Sequence, residues 1–170
     1  MLEFIKSAYN KKSNRQMGKF SLLQFFFWST WAIYGGYSVY YLTDIGYSNM
    51  EIGTVMSVRT FTSIIGPPIL GYICDKLKTR KNIFIISMII LGAIIVPFPL
   101  YDKIMIIIMS GFIGFFWSPQ QAILDSWILE TPGGIGENYG FMRAWGSLGF
   151  AFLVSVFGKI IEQYGWDIHF

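Results

Sequence analysis

Five apolar stretches, at 20–42, 52–73, 82–100, 104–129 and 140–162, constrain this chain more than any other feature. Each holds 19–26 residues, enough at a rise of about 1.5 Å per residue to cross a hydrocarbon core of about 30 Å. Only short polar connections part them: TDIGYSNME, DKLKTRK, YDK and ETPGGIGEN. None is long enough to divide the chain into two soluble domains. Composition agrees: 54% of residues are hydrophobic and 14% charged, against roughly a quarter charged in soluble domains, and the mean hydropathy is +0.49. The pattern is that of an all-α integral membrane protein.

The rarest residue types exclude most catalytic chemistry. Cys74 is the only cysteine, so no intrachain disulfide or cysteine metal cage is available. His169, the only histidine, is the penultimate residue. A zinc site and a Ser-His-Asp triad are both ruled out, and no metal, cofactor or enzymatic role is expected. The net charge of +3 comes from clustered Lys and Arg, which report topology before any nucleic-acid partner. No cleavable signal peptide is evident, because the first apolar run exceeds the length of a signal core.

Orientation follows from those clusters. Residues 1–19 carry Lys6, Lys11, Lys12, Arg15 and Lys19, and the second connection carries Lys76, Lys78, Arg80 and Lys81. The alternate side has Lys103 and Lys159 alone. Nine against two predicts a cytoplasmic amino terminus in a multi-pass cell-membrane protein. Five spans then put residue 165 outside. Tyr40, Tyr41, Tyr101, Tyr164 and Trp166 fall near span ends, where amphipathic rings favour the interface.

Three ionisable residues stand well inside spans: Arg59, Asp125 and Arg143. A charge at a helix centre costs at least about 2.5–3.5 kcal/mol, so a polar partner or wet cavity is expected beside it. The hairpin closed by TPGGIGEN should bring Asp125 and Arg143 to similar depth. On a helix Ser118, Gln121 and Asp125 share one face, and so do Arg143, Ser147 and Phe150. One reading is a structural ion pair that pins two helices. The other is a ligand site, favoured because the polar groups exceed what one ion pair requires and Phe150 adds an aromatic face.

Other features carry two readings. Gly140, Ala144, Gly146, Ser147, Gly149 and Ala151 allow close helix contact and by themselves mean packing. Pro119 and the pair Pro67-Pro68 are expected kinks. Gln24, Trp28, Trp31 and Tyr34 make the first span aromatic and partly polar, with packing against lipid at least as good an explanation as ligand contact. Arg59, about 10 Å from the outer end of its span by helical rise, reads as a snorkelling side chain rather than a ligand residue.

The segment GYICDKLKTRK resembles the loop between helices two and three of the major facilitator superfamily, Gly-x-x-x-Asp-Arg/Lys-x-Gly-x-Arg-Lys/Arg. Gly71, Asp75, Lys76, Arg80 and Lys81 match it, and Lys78 replaces the second glycine. That replacement bears on the tight turn. A basic topogenic loop is the simpler reading, and both can hold together. The resemblance implies a loop in which Asp75 engages Arg80 and latches one conformation.

RAWGSLGFA resembles the fifth-helix segment of the oligosaccharide and nucleoside proton symporters within that superfamily. In the sugar group an arginine follows a helix-four carboxylate by eighteen positions, as Arg143 follows Asp125. Asp stands where that group has Glu, and Phe150 where it has a stacking Trp. The nucleoside run Arg-x-Trp-Gly-Thr-x-Gly-Phe is matched as well. The resemblance implies Asp125, Arg143, Ser147, Phe150 and Gln121 as substrate-binding residues, a sugar or nucleoside as solute, and proton coupling.

The resemblance also implies a six-helix amino-terminal bundle, with 20–165 as five of its helices and 166–170 as the start of the sixth. A carboxyl-terminal half or a partner chain would complete it. The competing function is a non-transporting membrane assembly subunit that uses its helices as a docking surface.

Overall fold

A computed structural model describes residues 2–132 and 134–164, with side-chain surroundings defined for 13–132 and 134–163. The described residues are helical, with no strand: α1 Leu2–Asp44, α2 Asn49–Leu77, α3 Arg80–Ile95, α4 Lys103–Trp117, α5 Gln120–Glu130 and α6 Tyr139–Tyr164, plus short 3-10 turns at Phe98–Leu100 and Ile135–Asn138. The expected start of a sixth membrane helix at 166–170, residue 165, Trp166 and His169 lie outside the described residues. The described residues divide into one unit of 2–41 with 128–132 and 134–164, and another of Leu42–Trp127.

Three helices differ from the sequence expectation for physical reasons. First, α1 begins at Leu2, so the basic segment before residue 20 continues the first helix. Second, α3 ends at Ile95 rather than 100, and a 3-10 turn follows. Pro97 lacks the N–H that would continue the ladder, so Val96, still right-handed at φ -57 and ψ -47, makes the last bond of the run, to the Gly92 carbonyl. Third, the expected helix 104–129 is broken at Ser118–Pro119 into α4 and α5. Pro119 cannot donate to the Phe115 carbonyl four residues back, and Gln120 Nε2 donates instead to the Phe116 carbonyl at 2.7 Å. By contrast α2 runs unbroken through Pro67 and Pro68.

Large apolar side chains point outward throughout. Phe61, Ile64, Ile89 and Phe152 are each about three-fifths or more exposed, whereas Gln24, Ser110 and Gln120 are buried. A soluble fold would reverse this, and lipid explains it. By length and hydropathy alone, Lys103–Glu130 and Ile135–Gln163 qualify as spans.

In the second unit α2 packs most extensively on α4. The contact is backbone on backbone. A Cβ at Gly66 would lie 2.1 Å from the Phe115 carbonyl oxygen, and one at Gly114 would lie 2.2 Å from the Arg59 carbonyl oxygen. Each helix therefore offers a glycine to a carbonyl of the other, as membrane helices do when small residues let them approach. The Phe115 carbonyl is the one that Pro119 leaves without a helical donor.

At one end of this unit Ser48 caps α2 in a capping box with Glu51. Lys103 Nζ reaches Glu51 at 2.6 Å and sits 5.0 Å from the centre of the Tyr47 ring. The hydrogen bonds from Lys103 and Ser48 hold the Glu51 carboxyl down at about 2, and Glu51 in turn raises Lys103. Both groups stay charged across the physiological range.

The other end of α2 carries the loop. Lys78 closes the helix in the left-handed region, at φ 48 and ψ 37. The amides of Lys78 and Thr79 both donate to the Cys74 carbonyl, a Schellman closure that favours glycine at this position. The turn thus forms with lysine where the family pattern has glycine, at a conformational cost. Lys78→Gly is expected to stabilise the protein by about 1 kcal/mol. Equilibrium unfolding in detergent checks this, and no gain would mean that the turn relaxes around lysine.

Candidate functional site

The site begins with α1 and α6, both in the first unit. Phe20, Gln24, Phe27, Tyr34, Ser38 and Tyr41 are buried at spacings of three, four or seven along α1, so one face of that helix is covered. On α6 the small residues let α1 come close. A Cβ at Gly149 would fall 2.5 Å from the Phe25 carbonyl oxygen, and one at Gly146 would fall 2.5 Å from Trp28 Cδ1. Tyr37 adds a hydrogen bond from its hydroxyl to the Val154 carbonyl at 2.8 Å.

Into this seam α6 sends Arg143. Its Cζ lies 4.5 Å from the centre of the Trp28 ring. Phe150, two turns further along, meets the same indole edge-on at 6.3 Å and 77°. Arg143, Ser147 and Phe150 share a face of α6, and the structure brings the first and last of them to one aromatic partner. Ser147 is exposed between them. A half-buried guanidinium on an indole face gains about 1–2 kcal/mol, which offsets part of its cost in the membrane.

Asp125 and Gln121 belong to the second unit. They are one turn apart on α5, and Gln121 Nε2 donates to Asp125 Oδ1. The opposite end of the Gln121 amide, Oε1, is buried and accepts no hydrogen bond among the described residues. Buried acceptors of this kind are uncommon, and each calls for an account.

The loop residues also take up definite geometry. Arg80 and Asp75 form an ion pair at 3.2 Å with Asp75 largely exposed, and Lys76 lies over the Tyr72 ring. Lys81 follows Arg80 in the first turn of α3. Gly71 has open space where a Cβ would stand, so packing among these helices does not demand glycine there. Among the described residues no group of acidic, cysteine or histidine side chains could hold a metal ion.

Sequence reasoning left Trp28 between lipid packing and ligand contact and did not bring it to Arg143. The signal available was Gly146, three residues after Arg143 on α6: a missing Cβ beside a charge leaves room for a bulky neighbour.

Residues 18–169 match the MFS_1 like family model, over most of the chain. The chain belongs to this family. Among its curated relatives is the sucrose permease of Escherichia coli, 29% identical over 158 residues, covering 86% of this chain and 37% of that protein. The raffinose permease of Escherichia coli is 30% identical over 132 residues, 72% of this chain and 31% of that protein. The melibiose permease of Enterobacter cloacae subsp. cloacae is 28% identical over 157 residues, 86% of this chain and 37% of that protein. This major facilitator chain thus spans about a third of the length of these relatives. No solved structure matches it.

Proposed function

We propose that this chain is part of a secondary transporter that carries a di- or trisaccharide across the cell membrane by alternating access. The observation that carries the reading is Arg143 set on the Trp28 ring with Phe150 at the ring's edge. Saccharides ask for this chemistry. Their hydroxyls accept hydrogen bonds from a guanidinium, and their C–H faces lie against aromatic rings. Ser147 supplies a further hydroxyl on the same face of α6. Asp125 and Gln121, in the second unit, are proposed from the sequence alone as acceptors of hydrogen bonds from sugar hydroxyls. The relatives whose printed names are sucrose, raffinose and melibiose permease favour a sugar over a nucleoside.

Asp125 is also a protonatable group within a span, and intramembrane carboxylates commonly serve proton relays, so the transport is proposed to be proton-coupled. The amino terminus is placed in the cytoplasm on its excess of Lys and Arg. The loop with the Asp75–Arg80 pair then faces inward and would latch one of the two access states. Alternating access rocks helix bundles around a midplane site, so a further bundle, on the same polypeptide or a partner, belongs to this proposal.

Reconstituting the full-length protein in proteoliposomes tests it. An inward proton gradient is expected to drive accumulation of radiolabelled sucrose, raffinose or melibiose, and a protonophore to abolish it. Accumulation of uridine instead would transfer the reading to nucleosides. Sugar entry indifferent to the gradient would remove the coupling, and no uptake of any of these solutes would remove the function.

A further inference from the structure

We infer that Trp28 is the positioning residue of this site: its indole fixes the guanidinium of Arg143 in the orientation that meets the ligand. The inference rests on the reading of Arg143 as a ligand-binding group.

An arginine side chain has many rotamers, and binding through it is weak unless that freedom is removed beforehand. A carboxylate would fix it by occupying N–H donors. The π-face of an indole fixes it through charge, and leaves donors at the guanidinium edge for another acceptor. The 4.5 Å separation of Cζ from the ring centre is well within the range of this attraction.

The indole is itself held by the helix that bears Arg143. Gly146, three residues on, leaves the space that Trp28 Cδ1 and Nε1 fill; a Cβ there would stand 2.5 and 3.1 Å from those atoms. Phe150, seven residues on, closes the ring's edge. Trp28 Nε1 is buried and makes no hydrogen bond among the described residues. The ring is therefore placed by shape and by the cation, with its polar handle unused, although a tryptophan retained for packing alone usually satisfies that handle when buried. What the arrangement delivers is the face.

Site-specific incorporation of mono- to tetrafluorinated tryptophan at position 28 tests this in the full-length protein. Fluorine withdraws charge from the ring face while the shape is almost unchanged, so folding is preserved. Calorimetric titration uses whichever of sucrose, raffinose and melibiose binds the unmodified protein. Affinity is expected to fall stepwise along the series, by about tenfold overall, with the thermal midpoint without ligand nearly constant.

A flat affinity series, with Arg143→Gln still abolishing binding, would overturn the role of Trp28 alone. Arg143→Gln with unchanged affinity, or no binding of any of the three sugars, would remove the ligand reading and this inference together.

Discussion

Gly114→Ala is expected to destabilise the protein by about 3 kcal/mol or more, and Gly66→Ala by a similar amount. A new methyl in a packed interface typically costs about 1–3 kcal/mol when side chains can move aside. Here they cannot. The atoms met first are backbone carbonyl oxygens, of Arg59 at 2.2 Å and of Phe115 at 2.1 Å, so α2 and α4 must separate along their length. Separation also removes the dispersion contacts and Cα–H···O approaches that substitute for hydrophobic pressure between helices in lipid. Gly53→Ala is the internal control. It lies in the same α2 with open space at its Cβ position, and should gain about 0.5–1 kcal/mol from helix propensity. Thermal unfolding in detergent separates the three. A wild-type midpoint for Gly114→Ala would mean that the two helices are not in backbone contact.

The helical class, the membrane setting and the family were legible because each rests on long-range averages of the sequence. Apolar length and the spacing of Gly71, Asp75, Arg80 and Lys81 need no knowledge of neighbours. Breaks were harder. Pro119 interrupts α4 and α5, while Pro67 and Pro68 leave α2 continuous, although the three look alike in sequence. At Pro119 the Gln120 side chain serves the exposed ladder through the Phe116 carbonyl, a partner that proline position alone does not reveal.

The tight turn at Lys78 was equally hidden. Lysine argues against a left-handed residue, yet the double acceptance by the Cys74 carbonyl holds it there. Within the site, Arg143 and Phe150 could be placed on one face by helical spacing. Trp28 could not, since the register of α1 on α6 is fixed by Gly146 and Gly149 fitting the Trp28 indole and the Phe25 carbonyl. Such register is a property of two helices together.

Arg143→Gln should separate function from stability, and in opposite directions. Losing a charge-assisted hydrogen bond removes about 1.5–3 kcal/mol of binding, a factor of about 10–150 in affinity, and a guanidinium that donates to two sugar hydroxyls loses more. The fold is not expected to suffer. The variant gives up about 1–2 kcal/mol of stacking on Trp28, but it also sheds a charge that costs at least about 2.5–3.5 kcal/mol to keep in the membrane. A residue retained only to pin helices would show the reverse, with stability lost first. The most direct measurement is therefore calorimetric titration of sucrose, raffinose and melibiose into full-length wild type and Arg143→Gln, with the thermal midpoint recorded on the same samples. The account predicts saturable binding of at least one sugar by wild type, none by the variant, and a midpoint that is equal or higher. Binding by Arg143→Gln at wild-type affinity would contradict it.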